Sequence, residues 1–281
     1  MTFTRPEFLI FFAVVAAAVW TLPGNRSRQI VLLAASYYFY AYWDVRFTAL
    51  LAFSTAVDYL AGRGIESAAA PVRRRVWLGV SLATNLGVLG YFKYAGFFVE
   101  SFRDAFLMGD ALPVIDVVLP VGVSFFTFQT MSTTIDVYRG VLPACRDPLR
   151  FALYVAFFPQ LVAGPVVRGA ELLPQLAVRP RWSRRRAYGG GAQMLRGFVK
   201  KVLIADRLGE MVDVVWAGPE LYSGATVGLA TVAYAGQIYY DFSGYTDIAI
   251  GGAKVLGYRF PRNFRHPYLR PAPRTFGDAG I

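Results

Sequence analysis

The chain of 281 residues is 56% hydrophobic and 16% aromatic with mean hydropathy +0.41, and its 17% charged fraction falls well below the roughly 25% of soluble domains. Its apolar residues come in long runs, which puts it among polytopic membrane proteins. The net charge of +11 does not make it a nucleic-acid binder, because the arginines sit in short connections between apolar runs, where they read as topology signals. One cysteine, Cys145, excludes an internal disulfide, and one histidine, His266, excludes a zinc site built from several Cys and His; no metal and no bound cofactor are expected.

Apolar windows of spanning length fall at 7–22, 29–43, 45–60, 76–92, 117–138, 149–167, 194–216 and 223–257. The first follows Arg5 but lacks a small-residue cleavage site, so it reads as a retained span rather than a signal peptide. Arg26 and Arg28, then Arg63 and the Arg73-Arg74-Arg75 run, mark the first and third connections as cytoplasmic. Arg139, Arg146 and Arg150 mark another, and Arg168 to Arg186 yet another, with a single apolar window between them. That window holds Phe157-Phe158-Pro159-Gln160 and Gly164-Pro165, so a re-entrant, broken helix covered by protein or water is expected there. The segment 197–208 places Lys200 and Lys201 among aliphatics. Its plain reading is an interfacial helix with snorkelling lysines, and its sharper reading is a pair that attracts an anionic donor at the cytoplasmic face.

The last window, 223–257, is long enough for a span plus a broken piece, and it carries Asp241, Asp247 and Lys254. An ionised side chain at mid-bilayer costs roughly 2.5–3.5 kcal/mol, so such groups face a bundle interior or a wet cavity. On a helix, Gln237, Asp241 and Tyr245 share one stripe, while Tyr240, Ser243, Asp247 and Lys254 lie on a neighbouring one. Gly244, Gly251 and Gly252 admit a close helix or a substrate. The plain alternative is helix glue, with Asp247 pairing Lys254 two turns on. Ser243 lacks a nucleophile-elbow context, and Gly251-Gly252-Ala253-Lys254 lacks phosphate-loop spacing. His266 sits among arginines and reads as a solvated or headgroup-level residue.

Four motifs, in order, carry a resemblance. They are Leu119-Pro120-Val121-Gly122-Val123-Ser124-Phe125-Phe126-Thr127-Phe128-Gln129 with Thr134 to Arg139; Phe158-Pro159-Gln160-Leu161-Val162-Ala163-Gly164-Pro165; Lys200-Lys201-Val202-Leu203-Ile204-Ala205-Asp206; and Tyr240-Asp241-Phe242-Ser243-Gly244-Tyr245-Thr246-Asp247. Together they resemble the membrane-bound O-acyltransferase family, in its bacterial branch containing alginate O-acetyltransferase and the teichoic-acid D-alanyl transfer protein. The resemblance implies an all-α, multi-pass transmembrane bundle with re-entrant or broken helices around a tunnel, in the bacterial inner membrane. It implies acyl transfer, of an acetyl group above all, from a cytoplasmic acyl-CoA or acyl-carrier thioester to a hydroxyl of an extracytoplasmic polysaccharide. A periplasmic or extracytoplasmic acyltransferase and an acyl carrier are the partners it suggests.

On this reading Gln237, Tyr240, Asp241, Ser243, Tyr245 and Asp247 line or brace the tunnel, and Lys200 and Lys201 lie on the donor side. The family's general-base histidine follows the Asn-Phe-x-x-Pro-Tyr segment, which fits Asn263 to Tyr268; residues 270–281 do not match what should come next. Residues 1–269 therefore read as the N-terminal part of one membrane domain, and the chain is expected to be truncated and inactive by itself. A transporter or export component, or a non-catalytic membrane scaffold, is the alternative from another class.

Overall fold

The computed structural model describes residues 3–105, 118–161, 164–261 and 263. His266 and the tail after it lie outside the described residues. Within them the regular structure is all helical: α1 (Pro6–Thr21), α2 (Asn25–Ala41), α3 (Arg46–Ser67), α4 (Pro71–Leu89), α5 (Ala95–Ala105), α6 (Val123–Tyr138), α7 (Pro148–Ala156), α8 (Phe158–Leu161), α9 (Gly169–Ala177), α10 (Arg184–Phe198), α11 (Asp206–Trp216) and α12 (Gly224–Leu256). Two π-helical turns, Gly90–Tyr94 and Val199–Ala205, join α4 to α5 and α10 to α11. The chain divides into two compact units, one of Met1–Val31, Ala163–Val167 and Val178–Ile281, the other of Leu32–Val162 and Arg168–Ala177.

Among the described residues no helix is long and apolar enough to cross a membrane. The apolar α1 has 16 residues, about 24 Å at 1.5 Å per residue, against a hydrocarbon core of ~30 Å. The longer α3 carries Asp58, Arg63 and Glu66 within its length.

In the second unit α3, α4 and α6 pack around a polar knot. Asp58 of α3 is 1% exposed. Its carboxylate accepts hydrogen bonds from the Ser81 hydroxyl at 2.5 Å and from Asn85 Nδ2, 2.9 Å from each oxygen. Asn85 Oδ1 in turn accepts from Ser54 at 3.0 Å and Thr130 at 3.3 Å. A carboxylate this deep is tolerable because donors from both neighbouring helices replace its water.

The helix break expected near Pro159 is present. Asp147 caps α7 by accepting from the amides of Leu149 and Arg150, Pro148 fills the first turn, and the helix stops at Phe157. The break lies inside protein, with Phe157 and Phe158 fully buried. Backbone groups orphaned by it find side chains: the Tyr154 carbonyl accepts the amides of Gln129 at 3.0 Å and Gln160 at 2.8 Å, and the Phe158 N–H donates to Ser36 Oγ at 3.1 Å.

In the first unit α12 runs unbroken for 33 residues, so the break anticipated within 223–257 does not occur. No proline interrupts the segment, and Gly236, Gly244, Gly251 and Gly252 in its body sit against other helical segments instead of kinking it. It ends at Gly257, whose φ of +101° closes the helix with the Tyr258 amide bonded to the Ala253 carbonyl at 2.8 Å. Arg28 and Trp20 secure this end. Arg28 donates to the Leu256 carbonyl at 3.3 Å while stacking over the Trp20 ring, and Trp20 donates to the Val255 carbonyl at 3.1 Å.

Candidate active site

The site is built on α10, the π turn after it, and α12. Two glycine pairs set the approach: a β-carbon on Gly190 would lie 2.7 Å from the Gly251 carbonyl oxygen, and one on Gly197 would lie 2.7 Å from that of Gly244. The pairs are spaced by seven residues on each helix, two turns apart, so the same face of α10 meets the same face of α12 twice. Gly252 faces elsewhere, toward Phe12 of α1. The sequence left open whether these glycines admit a helix or a substrate; at Gly244 and Gly251 they admit α10.

With the backbones this close, polar side chains between and just beyond the glycines bridge the helices. Lys200 Nζ donates to Asp247 Oδ2 at 2.5 Å and to Ser243 Oγ at 2.9 Å. Gln193 Nε2 donates to the other Asp247 oxygen at 2.9 Å, and Gln193 Oε1 accepts from Lys254 Nζ at 2.7 Å. The result is a continuous chain, Ser243–Lys200–Asp247–Gln193–Lys254. Asp247 thus pairs across to α10, and the within-helix partnership with Lys254 does not form. Seven residues of rise hold those two side chains about 10 Å apart along the axis.

Lys200 and Lys201 both point at α12, which corrects the reading of 197–208 as an interfacial helix with snorkelling lysines. The π turn, bonded i→i+5, widens the helix here, and adjacent residues can then share a face. Lys201, 15% exposed, pairs with Asp241 and with Asp206 at 2.8 Å, and its ammonium lies 5.1 Å from the centre of the Tyr245 ring.

A cavity of about 380 Å³ opens beside the first chain, lined by Gln193, Arg196, Lys200, Tyr239, Ser243, Thr246, Asp247, Ile250, Lys254 and Asn263. Of the sequence-predicted residues, Ser243, Asp247 and Lys200 line it. Asp241, Tyr245 and Lys201 form the neighbouring ion-pair cluster, Gln237 lies over Gly209 of α11, and the Tyr240 ring packs on Tyr239. Gln193, Arg196, Thr246, Tyr239 and Asn263 were not singled out. Their one available signal was the spacing of Gln193, Arg196 and Lys200, which puts them on one stripe of the helix that contains the Gly189-Gly190-Gly191 run.

The arrangement supplies a buried hydroxyl, an ammonium held in place by a carboxylate, and two further cations around one polar cavity. Such a group of fixed donors can offset negative charge that develops on a bound substrate.

No family model matches the chain. It is 42% identical to a probable alginate O-acetylase of Pseudomonas aeruginosa, over 98% of this chain and 53% of that protein. It is 31% identical to a peptidoglycan O-acetyltransferase of Helicobacter pylori, over 95% of this chain and 56% of that protein. A teichoic acid D-alanyltransferase of Bacillus subtilis matches at 23% over 55% of this chain. The chain spans about half the length of the curated relatives it matches. The four motifs and these matches agree: over nearly its whole length the chain is similar to O-acetyltransferases of the membrane-bound O-acyltransferase type.

Proposed function

We infer that the protein carrying this chain is an O-acyltransferase that moves an acyl group, in the first place acetyl, from a thioester donor to a hydroxyl of a polysaccharide. The observation that carries this reading is the 42% identity to an alginate O-acetylase across 98% of the chain. The donor is taken to be acyl-CoA or an acyl-carrier thioester on the cytoplasmic side, and the acceptor an extracytoplasmic glycan. An acyl carrier and an extracytoplasmic acyltransferase would be its partners.

A multi-pass place in the bacterial inner membrane is part of the proposal. Large apolar side chains left exposed favour a lipid surround: Ile10 at 68% and Val14 at 63% on α1, Phe97 and Phe98 at 63% on α5, Leu229 at 71% on α12. In such surroundings the charged cluster on α12 has its place against α10 rather than against lipid tails.

Within this reading Asp247 positions Lys200, and the Lys200 ammonium stabilises negative charge building on the acyl carbonyl oxygen as the acceptor hydroxyl attacks. Ser243 holds the third corner of that geometry. Gln193 ties Asp247 and Lys254 to the same chain, so movement of one cation is felt at the other.

The test is genetic. The gene carrying this sequence is deleted in its host, and ester-bound acetate on the extracellular and cell-wall glycans is measured by NMR. The expected result is loss of glycan acetylation, restored by the native gene and not by a gene encoding Asp247→Asn. Unchanged acetylation after deletion would refute the reading.

A further inference from the structure

We propose that Asp58 is a loading site for one small monovalent cation, sodium or hydronium, held in a void between α3, α6, α7 and the connection carrying Cys145. Every residue of the site belongs to the second unit. Asp58 is 1% exposed and pairs with no cation among the described residues. Its bonds come from neutral groups, Ser81 at 2.5 Å and Asn85 at 2.9 Å from α4, with the Thr130 and Thr134 hydroxyls of α6 beside them. Such dipoles replace lost water, but a buried charge is ordinarily matched by an opposite charge or a coordinated metal.

Charged groups on the surrounding helices are engaged elsewhere. Arg63 and Glu66 of α3 pair at 3.6 Å, Arg74 of α4 donates to the Tyr138 carbonyl at 2.8 Å, and Arg150 of α7 pairs with Asp147 at 3.7 Å. Asp136 of α6 lies two residues past Thr134, about 200° around the helix. The titratable side chains that do face the site are Tyr59, Cys145 and Tyr154, none of which can supply a positive charge.

The void measures about 10 Å³, room for one water-sized body. Asp58, Thr133 and Thr134 line it, so an ion there meets a carboxylate and two hydroxyl oxygens, the ligands that hard cations take. Thr127, Thr130 and Thr134 share one stripe of α6, and the Thr127 hydroxyl, fully buried, has no partner among the described residues. The polar stripe therefore has capacity that the protein itself leaves unused. Ala144 and Cys145 line both the void and a larger cavity of about 420 Å³, and so form the partition an ion would cross.

Two measurements on the purified, detergent-held chain tell sodium from hydronium. Thermal melts are compared in sodium chloride and in choline chloride at equal ionic strength. A chain whose aspartates carry carbon-13 in the side-chain carboxyl is followed by infrared spectroscopy from about pH 8 to about pH 5. If sodium is the ion, it raises the melting temperature over choline by about 2–4 °C per tenfold increase above its Kd. If hydronium is the ion, the melts coincide and an isotope-shifted carboxylic-acid band grows in as pH falls. Asp58→Asn keeps an acceptor oxygen but removes the charge, so it abolishes either response. Thr134→Val deletes one oxygen ligand and moves the midpoint of either response about tenfold in ion concentration. Asp136→Asn, on the other face of α6, leaves both unchanged. Circular dichroism verifies that the variants fold, and Thr134→Val carries the test should Asp58→Asn fail to do so.

The proposal is overturned if the two melts coincide and no such band appears, or if Asp58→Asn responds like the native chain. It is overturned equally if Thr134→Val leaves the midpoint where it was, or if Asp136→Asn abolishes the response. None of these outcomes touches the acyltransferase reading, whose own test is glycan acetylation.

Discussion

Gly190 and Gly251 meet backbone to backbone: a β-carbon on the first would come within 2.7 Å of the second's carbonyl oxygen, and the converse approach is 2.6 Å. The polar chain from Ser243 to Lys254 depends on that contact, since its side chains span the gap that these glycines keep narrow.

Gly251→Ala should therefore push α10 from α12 and lower stability by about 1–3 kcal/mol, the usual penalty for overpacking. Gly189→Ala and Gly191→Ala, on the same helix with open space where the methyl would go, should be neutral or stabilising by roughly 0.5–1 kcal/mol. Thermal melts of the three variants separate the cases. Equal melting temperatures would show that the helices do not rely on this approach.

Lys201 sits between two carboxylates with 15% of its side chain exposed. Lys201→Met leaves Asp206 and Asp241 close together without a cation, and a loss of about 1–3 kcal/mol is expected, below that of a fully buried pair. Arg207→Met, removing an exposed partner of Glu210, should lose under ~1 kcal/mol. Asp241→Asn placed on top of Lys201→Met should recover part of the first loss. Chemical denaturation of the single and double variants checks the cycle.

Asp58 offers a similar comparison in the second unit. Asp58→Ala strips the acceptor from Ser81 and Asn85 and should lower stability by about 2–4 kcal/mol, because buried donors are left unpaired. Asp58→Leu combined with Asn85→Leu and Ser81→Ala removes acceptor and donors together. It should be less destabilising than the single change, as read by the same denaturation curves.

Cys145 lies in the connection between α6 and α7, where burial pushes its thiol above the usual range and the Arg150 charge opposes this only in part. Only the thiolate alkylates, so iodoacetamide should label Cys145 more slowly than a free thiol at pH 8, with the gap closing as pH rises. Labelling at the free-thiol rate in the folded chain would contradict the burial.

Part of this was legible in the residues. Asp241, Asp247 and Lys200 stand out because charge inside apolar segments needs a reason, and Phe157 to Pro165 announces a helix break through its prolines. The partners were harder to see. Arg196 lies just inside the apolar window 194–216, close to a basic connection, and was passed over there, and Gln193 carries no charge at all. Pairing Asp247 with Lys254 is the natural choice within one helix, but the structure prefers a partner from across the glycine contact. The π turn left no signature, because nothing in Val-Lys-Lys-Val-Leu-Ile-Ala distinguishes i→i+5 from i→i+4 bonding.

That widened turn has a mechanical corollary. It holds a surplus residue without breaking the rod, so the rotational phase of α11 is set apart from that of α10. Trimming one residue between Val199 and Ala205 would restore the narrower winding and swing everything downstream by about 100°. Asp206 would then rotate away from Lys201, and the two lysines could no longer serve two different carboxylates of α12. A chain shortened at that point would stay helical yet lose its registration, which makes the length of this short stretch as consequential as its composition.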